Sequence, residues 1–329
     1  MRFTVIAPLP GWVPSVPPDL TTYLIIAPQA PTLLPLTAIL LAVAYLCGAI
    51  RLWSQRRRWP IGRTVLFLCG CLLILAVTAT NIDGYGYELF SVFMFQQLTL
   101  MMVVPVFLVL GAPGTLILRA TPHRFGWRWV LRSAHWGLHS SLGRFLIHPG
   151  FTLPLFLMSF YGLYLGGIAD VLLEAPIGHV ALEALFLISG ILFTIPILSV
   201  DPLPRRQSHV GRLLDVFGEM ALHAFFGVIV MMAATPLVSA FADPPQSWAI
   251  DPVADQQLAG ALAWSYGEFP NLVIVLILLH AWYLADTKRA RAADLKADVE
   301  GTPELDSYNA YLESLTRAAS SSRPTKEPS

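Results

Sequence analysis

The chain of 329 residues contains seven apolar stretches, each long enough to cross a lipid bilayer as a helix. Such a helix needs about 20 residues, because about 30 Å of hydrocarbon is covered at about 1.5 Å per residue. The alternating pattern that is typical of strands does not compete with them. The seven stretches are Leu33–Trp53, Thr64–Thr80, Phe90–Leu110, Phe151–Ile168, His179–Val200, Ala221–Ala242 and Leu258–Leu284.

Apart from Arg2 in the N-terminal arm and Arg51 at the end of the first stretch, lysine and arginine occur only in alternate connectors and in the C-terminal tail. The connectors 81–89, 169–178 and 243–257 contain neither residue and carry aspartate or glutamate instead. The other connectors and the C-terminal tail hold the basic residues, among them Arg56, Arg57, Arg58, Arg63, Arg119, Arg124, Arg128, Arg132, Arg144, Arg205, Arg206, Arg212, Lys288, Arg289 and Arg291. Because basic connectors stay in the cytoplasm, the sequence predicts an all-α integral membrane protein: a bundle of seven transmembrane helices with the N-terminus outside and the C-terminus cytoplasmic.

Composition agrees with a membrane protein and divides the chain into three parts. Only 13% of the residues are charged, against about 25% in a soluble domain. The net charge of zero argues against a nucleic-acid-binding surface. We predict a Pro-rich external N-terminal arm over residues 1–32, a transmembrane domain over 33–285 and a polar cytoplasmic tail over 286–329 that is partly disordered.

Several polar side chains interrupt the apolar stretches or lie at their ends. A charge near the bilayer centre costs about 2.5–3.5 kcal/mol, so the ionisable residues that remain face the bundle interior or a cavity. We predict bundle-facing positions for Gln96, Glu183, His223, Asp255, Gln256, Trp264 and Glu268. His223 falls near the cytoplasmic end of its stretch, where a hydrogen bond to a helix or headgroup is the alternative to metal binding.

Met94, Gln97 and Met101 recur at i, i+3 and i+7, on one face of the third stretch. Thioethers are soft ligands that suit Cu(I), so this face could hold copper. The alternative is that the methionines pack between helices and the glutamine forms an interhelical hydrogen bond. His179 and Glu183 form an i, i+4 pair, either as a polar cluster facing the bundle or as an interfacial capping pair.

Two prolines predict irregular helices beside these side chains. Pro105 cannot donate a hydrogen bond to the carbonyl of Met101, and Pro270 cannot donate one to the carbonyl of Tyr266. Bent helices next to polar groups either line a cavity or are simple structural bends.

The motifs of soluble enzymes are missing from the sequence. It contains no Gly-rich phosphate loop, no GxSxG, no HExxH and no CxxC. No lysine lies within an apolar stretch, which excludes a retinal Schiff base. We therefore predict that the protein is not an enzyme.

The third stretch and the later ones carry a set of motifs in a fixed order. The motifs are Phe93-Met94-Phe95-Gln96-Gln97, Leu100-Met101-Met102, Pro105, Leu110-Gly111-Ala112-Pro113, His148-Pro149, Gly190-Ile191-Leu192-Phe193, Asp201-Pro202-Leu203-Pro204-Arg205, His223-Ala224-Phe225-Phe226-Gly227, Asp255-Gln256-Gln257, Trp264 and Gly267-Glu268-Phe269-Pro270. Over about residues 30–285 this set resembles the CtaG-like family of cytochrome c oxidase assembly factors.

The resemblance implies a seven-span accessory protein of the plasma (inner) membrane that helps to assemble haem–copper cytochrome c oxidase, with copper delivery as its route. The implied partners are oxidase subunits or other assembly factors, within the lipid bilayer and without nucleic acid. The family pattern has histidines where this chain has Phe93 and Gln97. A copper site here would use Met94, Gln97, Met101 and His179; the alternative is that the chain keeps only a scaffolding role in assembly. The alternatives are a copper or proton transporter with Glu268 and His223 as relay groups, and a structural subunit of an oxidase supercomplex.

Overall fold

The computed structural model describes residues 12–27, 33–122, 129, 132, 140–175, 177–203, 207–300 and 303–321. Regular structure within these residues is helical, apart from one antiparallel bridge between Ile26 and Thr80. We number the helices α1 (Leu20–Tyr23), α2 (Leu33–Ser54), α3 (Ile61–Thr78), α4 (Asn81–Gly86), α5 (Phe90–Leu98), α6 (Val104–Leu110), α7 (Pro113–Ala120), α8 (Ser141–Leu146), α9 (Pro149–Leu157), α10 (Ile168–Leu173), α11 (Gly178–Leu198), α12 (His209–Met232), α13 (Pro252–Ser265), α14 (Glu268–Glu300) and α15 (Pro303–Ser321).

Six helical segments in the described part of the chain are long and apolar enough to cross a membrane. They are Leu33–Ser54, Ile61–Thr78, Phe90–Ala120, Gly178–Leu198, His209–Met232 and Pro252–Asp298. The chain is therefore a multi-pass membrane protein. The apolar helix Pro149–Leu165 is shorter and lies at the lower end of the roughly 17–25 residues of a membrane span. The seventh crossing and the orientation of the termini stay predictions.

The sixth predicted stretch differs in position from the helix that forms. The sequence predicted Ala221–Ala242, whereas α12 runs from His209 to Met232. Charged residues such as Arg212 and Glu219 made the first turns resemble a connector, but both are buried, and Arg212 Nη1 donates to the carbonyl of Ile197 (3.3 Å). His223 consequently lies near the middle of the helix rather than near its end.

A π-helical turn, Thr99–Val103, joins α5 and α6. It lies where Pro105 lacks the N–H that an α-helix would need, and such turns absorb local irregularity inside helices. Gly190 of α11 packs against it: a Cβ at Gly190 would lie 2.0 Å from the carbonyl oxygen of Met101. The absence of a side chain at this one position lets α11 approach the bend. A second π-helical segment, Met158–Leu165, follows α9.

Helices α12 and α13 pack closely because glycines face each other. A Cβ at Gly227 would lie 2.7 Å from the backbone nitrogen of Trp264, and one at Gly260 would lie 2.5 Å from that of Met231. Small residues allow this approach of helix backbones within membranes. After α13 the chain turns at Tyr266 and Gly267 before α14 begins, which is the break that Pro270 predicted.

Two aspartates of the later motifs cap helices elsewhere in the bundle. Asp201 accepts hydrogen bonds from the backbone nitrogens of Gly114 (2.9 Å) and Thr115 (2.7 Å), at the start of α7. Asp255 accepts one from the backbone nitrogen of Ser91 (3.2 Å), at the start of α5. Helix N-termini carry unpaired N–H groups and the positive end of the helix dipole, so a carboxylate stabilises them.

The N-terminal segment 12–27 packs over α4. The Tyr85 hydroxyl donates to the carbonyl of Val16 (3.1 Å), and the backbone nitrogen of Asn81 donates to the carbonyl of Ile25 (2.9 Å). A Cβ at Gly84 would lie 2.6 Å from the carbonyl oxygen of Trp12. The rest of the predicted N-terminal arm, residues 1–11 and 28–32, lies outside the described residues.

The chain divides into two compact units, Met1–Leu278 and Leu279–Ser329. The second unit holds the predicted polar tail, whose described residues are helical through the end of α14 and through α15. We predict disorder over residues 320–329, but Ser320 and Ser321 form the end of α15, and residues 322–329 lie outside the described part. Both polar clusters described below belong to the first unit.

Candidate metal centre

Asp83, His179 and Glu183 converge at one end of the first unit. Asp83 comes from the short helix α4, whereas His179 and Glu183 occupy the first two turns of α11. One ligand atom of each side chain lies within 4.8 Å of the other two. Their exposed fractions are only 3%, 4% and 1%. Three titratable groups of this kind in one buried place either share protons or hold a metal ion.

The imidazole of His179 points at both carboxylates without forming a hydrogen bond. Its Nε2 lies 3.3 Å from Oδ1 of Asp83 and 3.9 Å from Oε1 of Glu183. Neither ring nitrogen has a hydrogen-bond partner among the described residues. A buried polar group without a partner is rare in folded proteins and calls for a physical explanation.

The amide of Gln96 holds the two carboxylates in place. Its Nε2 lies 2.9 Å from the carbonyl oxygen of Val77, 3.2 Å from Oδ1 of Asp83 and 2.5 Å from Oε1 of Glu183, so its two N–H groups are shared among three acceptors. Gly86 of α4 leaves room for this arrangement, because a Cβ there would lie 3.0 Å from Oε1 of Gln96. Gln96, predicted to face the bundle interior, is therefore a supporting residue of the cluster.

Aromatic rings enclose the His179 side chain. Tyr87 stacks on the imidazole at 4.0 Å between centroids, and the Phe93 ring lies 5.2 Å away. Burial, with a further contribution from the carboxylates of Asp83 and Glu183, raises the pKa of Tyr87. Phe93 occupies the first histidine position of the family pattern, so that position borders the cluster.

The residues predicted to bind copper have different neighbours in the structure. Gln97 donates to the carbonyl of Ser159 (2.9 Å) and accepts from the hydroxyl of Tyr164. Met94 and Met101 are fully buried. The Met101 carbonyl packs at Gly190, about 16 Å along α11 from His179 at about 1.5 Å per residue. His179 is thus close to Asp83 and Glu183 rather than to Met101, and copper binding by the predicted set stays a prediction.

A second polar cluster lies between α12 and α14. Asn271 Nδ2 donates to Oε2 of Glu219 (2.7 Å), and Nδ1 of His223 lies 4.0 Å from Oε1 of Glu268. Glu219 and His223 are fully buried. Both ring nitrogens of His223 and both carboxyl oxygens of Glu268 lack hydrogen-bond partners among the described residues. This cluster could bind protons within the bundle.

Comparison with known proteins identifies the family. The sequence profile of the cytochrome c oxidase caa3 assembly factor family, Caa3_CtaG, matches residues 43–285. The chain belongs to this family. The matched region contains both polar clusters and both capping aspartates, which confirms the resemblance that the motifs indicated.

Among curated relatives of this Caa3_CtaG protein are uncharacterized proteins of three mycobacteria. Those of Mycobacterium bovis and Mycobacterium tuberculosis are each 34% identical over 294 residues, which is 87% of this chain and 44% of the relative. That of Mycobacterium leprae is 34% identical over 325 residues, 96% of this chain and 48% of the relative. The chain thus spans about half the length of these relatives. No solved structure matches it significantly.

Two of the remaining predicted site residues form hydrogen bonds within the fold, and the third is partly exposed. Gln256 accepts from the backbone nitrogen of Leu237 (2.7 Å) and donates to the carbonyl of Thr235 (3.0 Å), so it fixes the loop after α12. Asp255 caps α5. The Trp264 side chain is 54% exposed, although we predicted that it faces the bundle.

Sequence reasoning missed Asp83, Glu219 and Asn271. Asp83 was one of several acids in connectors without arginine, and nothing in its spacing relates it to residues almost a hundred positions later. Glu219 fell before the predicted start of the sixth stretch. A signal for it does exist in the sequence, because Glu219 and His223 are an i, i+4 pair on one helix face.

Proposed function

We propose that this protein is a membrane accessory protein that helps to assemble haem–copper cytochrome c oxidase in the plasma membrane, without turnover chemistry of its own. The family match over residues 43–285 carries the proposal, because it covers most of the first unit and both polar clusters. Oxidase subunits and other assembly factors are the proposed partners. Copper delivery to an oxidase subunit is the proposed route.

We place the polar cluster of Asp83, His179 and Glu183 on the external side of a seven-span bundle. Connectors 81–89 and 169–178 lack basic residues, and the contact of 3.3 Å between Asp83 and His179 supports their lying on one side. On the opposite side, Arg57 Nη1 donates to the carbonyl of Arg119 (2.7 Å). An external position would suit a protein that handles metal destined for an oxidase subunit outside the cytoplasm.

Deletion of the gene tests the assembly role. We expect membranes of the deletion strain to lose cytochrome oxidase activity and the copper of its subunits, and to regain both when the wild-type gene is restored. The oxidase subunits themselves should still be synthesised, which immunoblotting checks. Normal oxidase activity and normal copper content in the deletion strain would exclude the role.

A second candidate function is transport of copper or protons, and the Glu219–His223–Glu268 cluster favours it. His223 and Glu268 lie within the helical bundle without hydrogen-bond partners in the described part of the chain, as relay groups would. The test is flux into proteoliposomes that contain the purified protein. A transporter would show flux that Glu268→Gln abolishes, whereas an assembly factor would show none in either form.

A further inference from the structure

We propose that Asp83, His179 and Glu183 form a binding site for one divalent transition-metal ion, held by two carboxylates and one imidazole. Only His179 is shared with the set that the sequence suggested for copper, which otherwise consists of Met94, Gln97 and Met101. The proposal follows from side-chain geometry in the first unit. It therefore stands or falls independently of the role in oxidase assembly.

The distances between the ligand atoms fit a common ion. Ligand atoms about 2.0–2.2 Å from a tetrahedral ion are about 3.3–3.6 Å apart from one another. Nε2 of His179 lies 3.3 Å from Asp83 Oδ1 and 3.9 Å from Glu183 Oε1. The third separation, between the two carboxylates, is at most 4.8 Å, so coordination by one ion requires the side chains to rotate towards one another. The backbone of α4 and α11 already places all three.

Burial and charge provide the second argument. Both carboxylates and the imidazole are more than nine-tenths buried, and a buried charge is stabilised only by a partner or a metal ion. No lysine or arginine of the described residues forms an ion pair with them. The Gln96 amide donates to the carboxylates, whereas both nitrogens of His179 lack a hydrogen-bond partner among the described residues. A cation at Nε2 would satisfy the imidazole and balance the carboxylates together.

The donor set selects the class of ion. Imidazole suits Zn²⁺ and Cu²⁺, and carboxylates bind both ions, whereas Cu⁺ prefers thioether or thiolate sulfur. Ca²⁺ takes six to eight oxygen ligands, which three residues with one nitrogen do not supply. The site therefore favours Zn²⁺ or Cu²⁺. All three side chains are buried, so ion entry requires neighbouring residues to move.

The decisive experiment is metal titration of the purified full-length protein in detergent after treatment with a chelator. We expect one equivalent of Zn²⁺ or Cu²⁺ per chain, bound at least tenfold more tightly than Ca²⁺, measured by calorimetry and by elemental analysis after gel filtration. His179→Gln and Glu183→Gln should each weaken binding at least tenfold. The matched control is His280→Gln, which removes an exposed histidine outside both polar clusters and should leave the affinity unchanged.

Two results would overturn the proposal. One is the absence of a stoichiometric divalent ion in the wild type, and the other is wild-type affinity in both His179→Gln and Glu183→Gln. Gel filtration and thermal unfolding of the metal-free variants check that they fold. If they do not, electron paramagnetic resonance of Cu²⁺ on the wild-type protein decides the question. A signal with one coordinating nitrogen supports the site, and a signal without nitrogen excludes it.

Discussion

At the scale of single residues, Phe93 lies next to the candidate metal centre, at a position where the motif resemblance implies histidine. Its ring lies 5.2 Å from that of His179, at the position where the family pattern has a histidine. A histidine at position 93 would therefore border Asp83, His179 and Glu183.

Phe93→His should consequently strengthen metal binding at the cluster. The new imidazole would supply a fourth protein ligand, which completes a tetrahedral site for Zn²⁺, and we expect the affinity to rise about tenfold or more. Titration of the purified variant with Zn²⁺ measures the change. Phe156→His is the control, because Phe156 is also buried and its ring contacts those of Phe160 and Phe193 rather than that of His179. An equal gain in both variants would contradict the assignment.

Glu88, just outside the bundle helices, makes stability depend on pH. Partial burial, with a contribution from Asp243, raises the pKa of Glu88. The folded protein therefore keeps the Glu88 carboxyl protonated at a pH where the unfolded chain has released the proton. The stabilisation that this protonated carboxyl gives is present at low pH and is lost as pH rises through the folded pKa. Glu88→Gln should raise the unfolding temperature at neutral pH and leave it unchanged below pH about 4. Thermal unfolding in detergent at both pH values measures this, and a variant less stable at neutral pH would contradict it.

Residue spacing predicted part of the candidate site and could not predict the rest. His179 and Glu183 share one helix face, which their i, i+4 spacing indicates, and Gln96 was expected inside the bundle. Asp83 joins them only because α4 folds back over the end of α11. That contact depends on tertiary packing, which no local pattern contains.

At the scale of the helices, Gly190 determines how closely α11 approaches the bend in α5 and α6. A Cβ there would lie 2.0 Å from the Met101 carbonyl oxygen, so the backbones would have to separate. We expect Gly190→Ala to destabilise the protein by about 1–3 kcal/mol, the usual range for overpacking. Thermal unfolding in detergent measures the change.

Gly218→Ala is the matched control for this prediction. Gly218 lies in α12, and a Cβ there would meet nothing within 4 Å. Since alanine is the better helix former, this variant should be as stable as the wild type, or more stable by up to about 1 kcal/mol. Equal destabilisation by the two substitutions would show that the close contact between Gly190 and Met101 does not determine the stability of the protein.

The positions of the helices were largely predictable, because long apolar stretches leave few alternatives in a membrane. The boundaries of α12 were not. The charged residues at its start resembled a connector, and their burial depends on neighbouring helices such as α11, which accepts the hydrogen bond of Arg212. Pro105 and Pro270 correctly marked the π-helical turn and the break before α14, since proline removes a backbone donor wherever it occurs.

At the scale of the whole molecule, the number of crossings depends on the helix Pro149–Leu165. If it crosses the membrane, connectors 81–89 and 169–178 lie on one side, which agrees with the contact between Asp83 and His179. If it does not, the connector 199–208 and the C-terminal tail would both lie outside, together with Arg205, Arg206 and Lys288. Such an arrangement would contradict the preference of basic residues for the cytoplasm.

Reporter fusions distinguish the two arrangements. Alkaline phosphatase, which is active only outside the cytoplasm, should be active when fused within connector 169–178 and inactive when fused after Ser329. With six crossings the two fusions would show the reverse, because every segment after Pro149–Leu165 would change sides. Replacing the basic residues Lys288, Arg289 and Arg291 by glutamine tests the cause of the orientation. If the charge asymmetry orients the chain, the loss of these three residues should raise phosphatase activity at the fusion after Ser329. Replacing the exposed tail residue Arg317 by glutamine is the control and should leave that activity low. The reason is that charges act on orientation only within about 15–20 residues of a span.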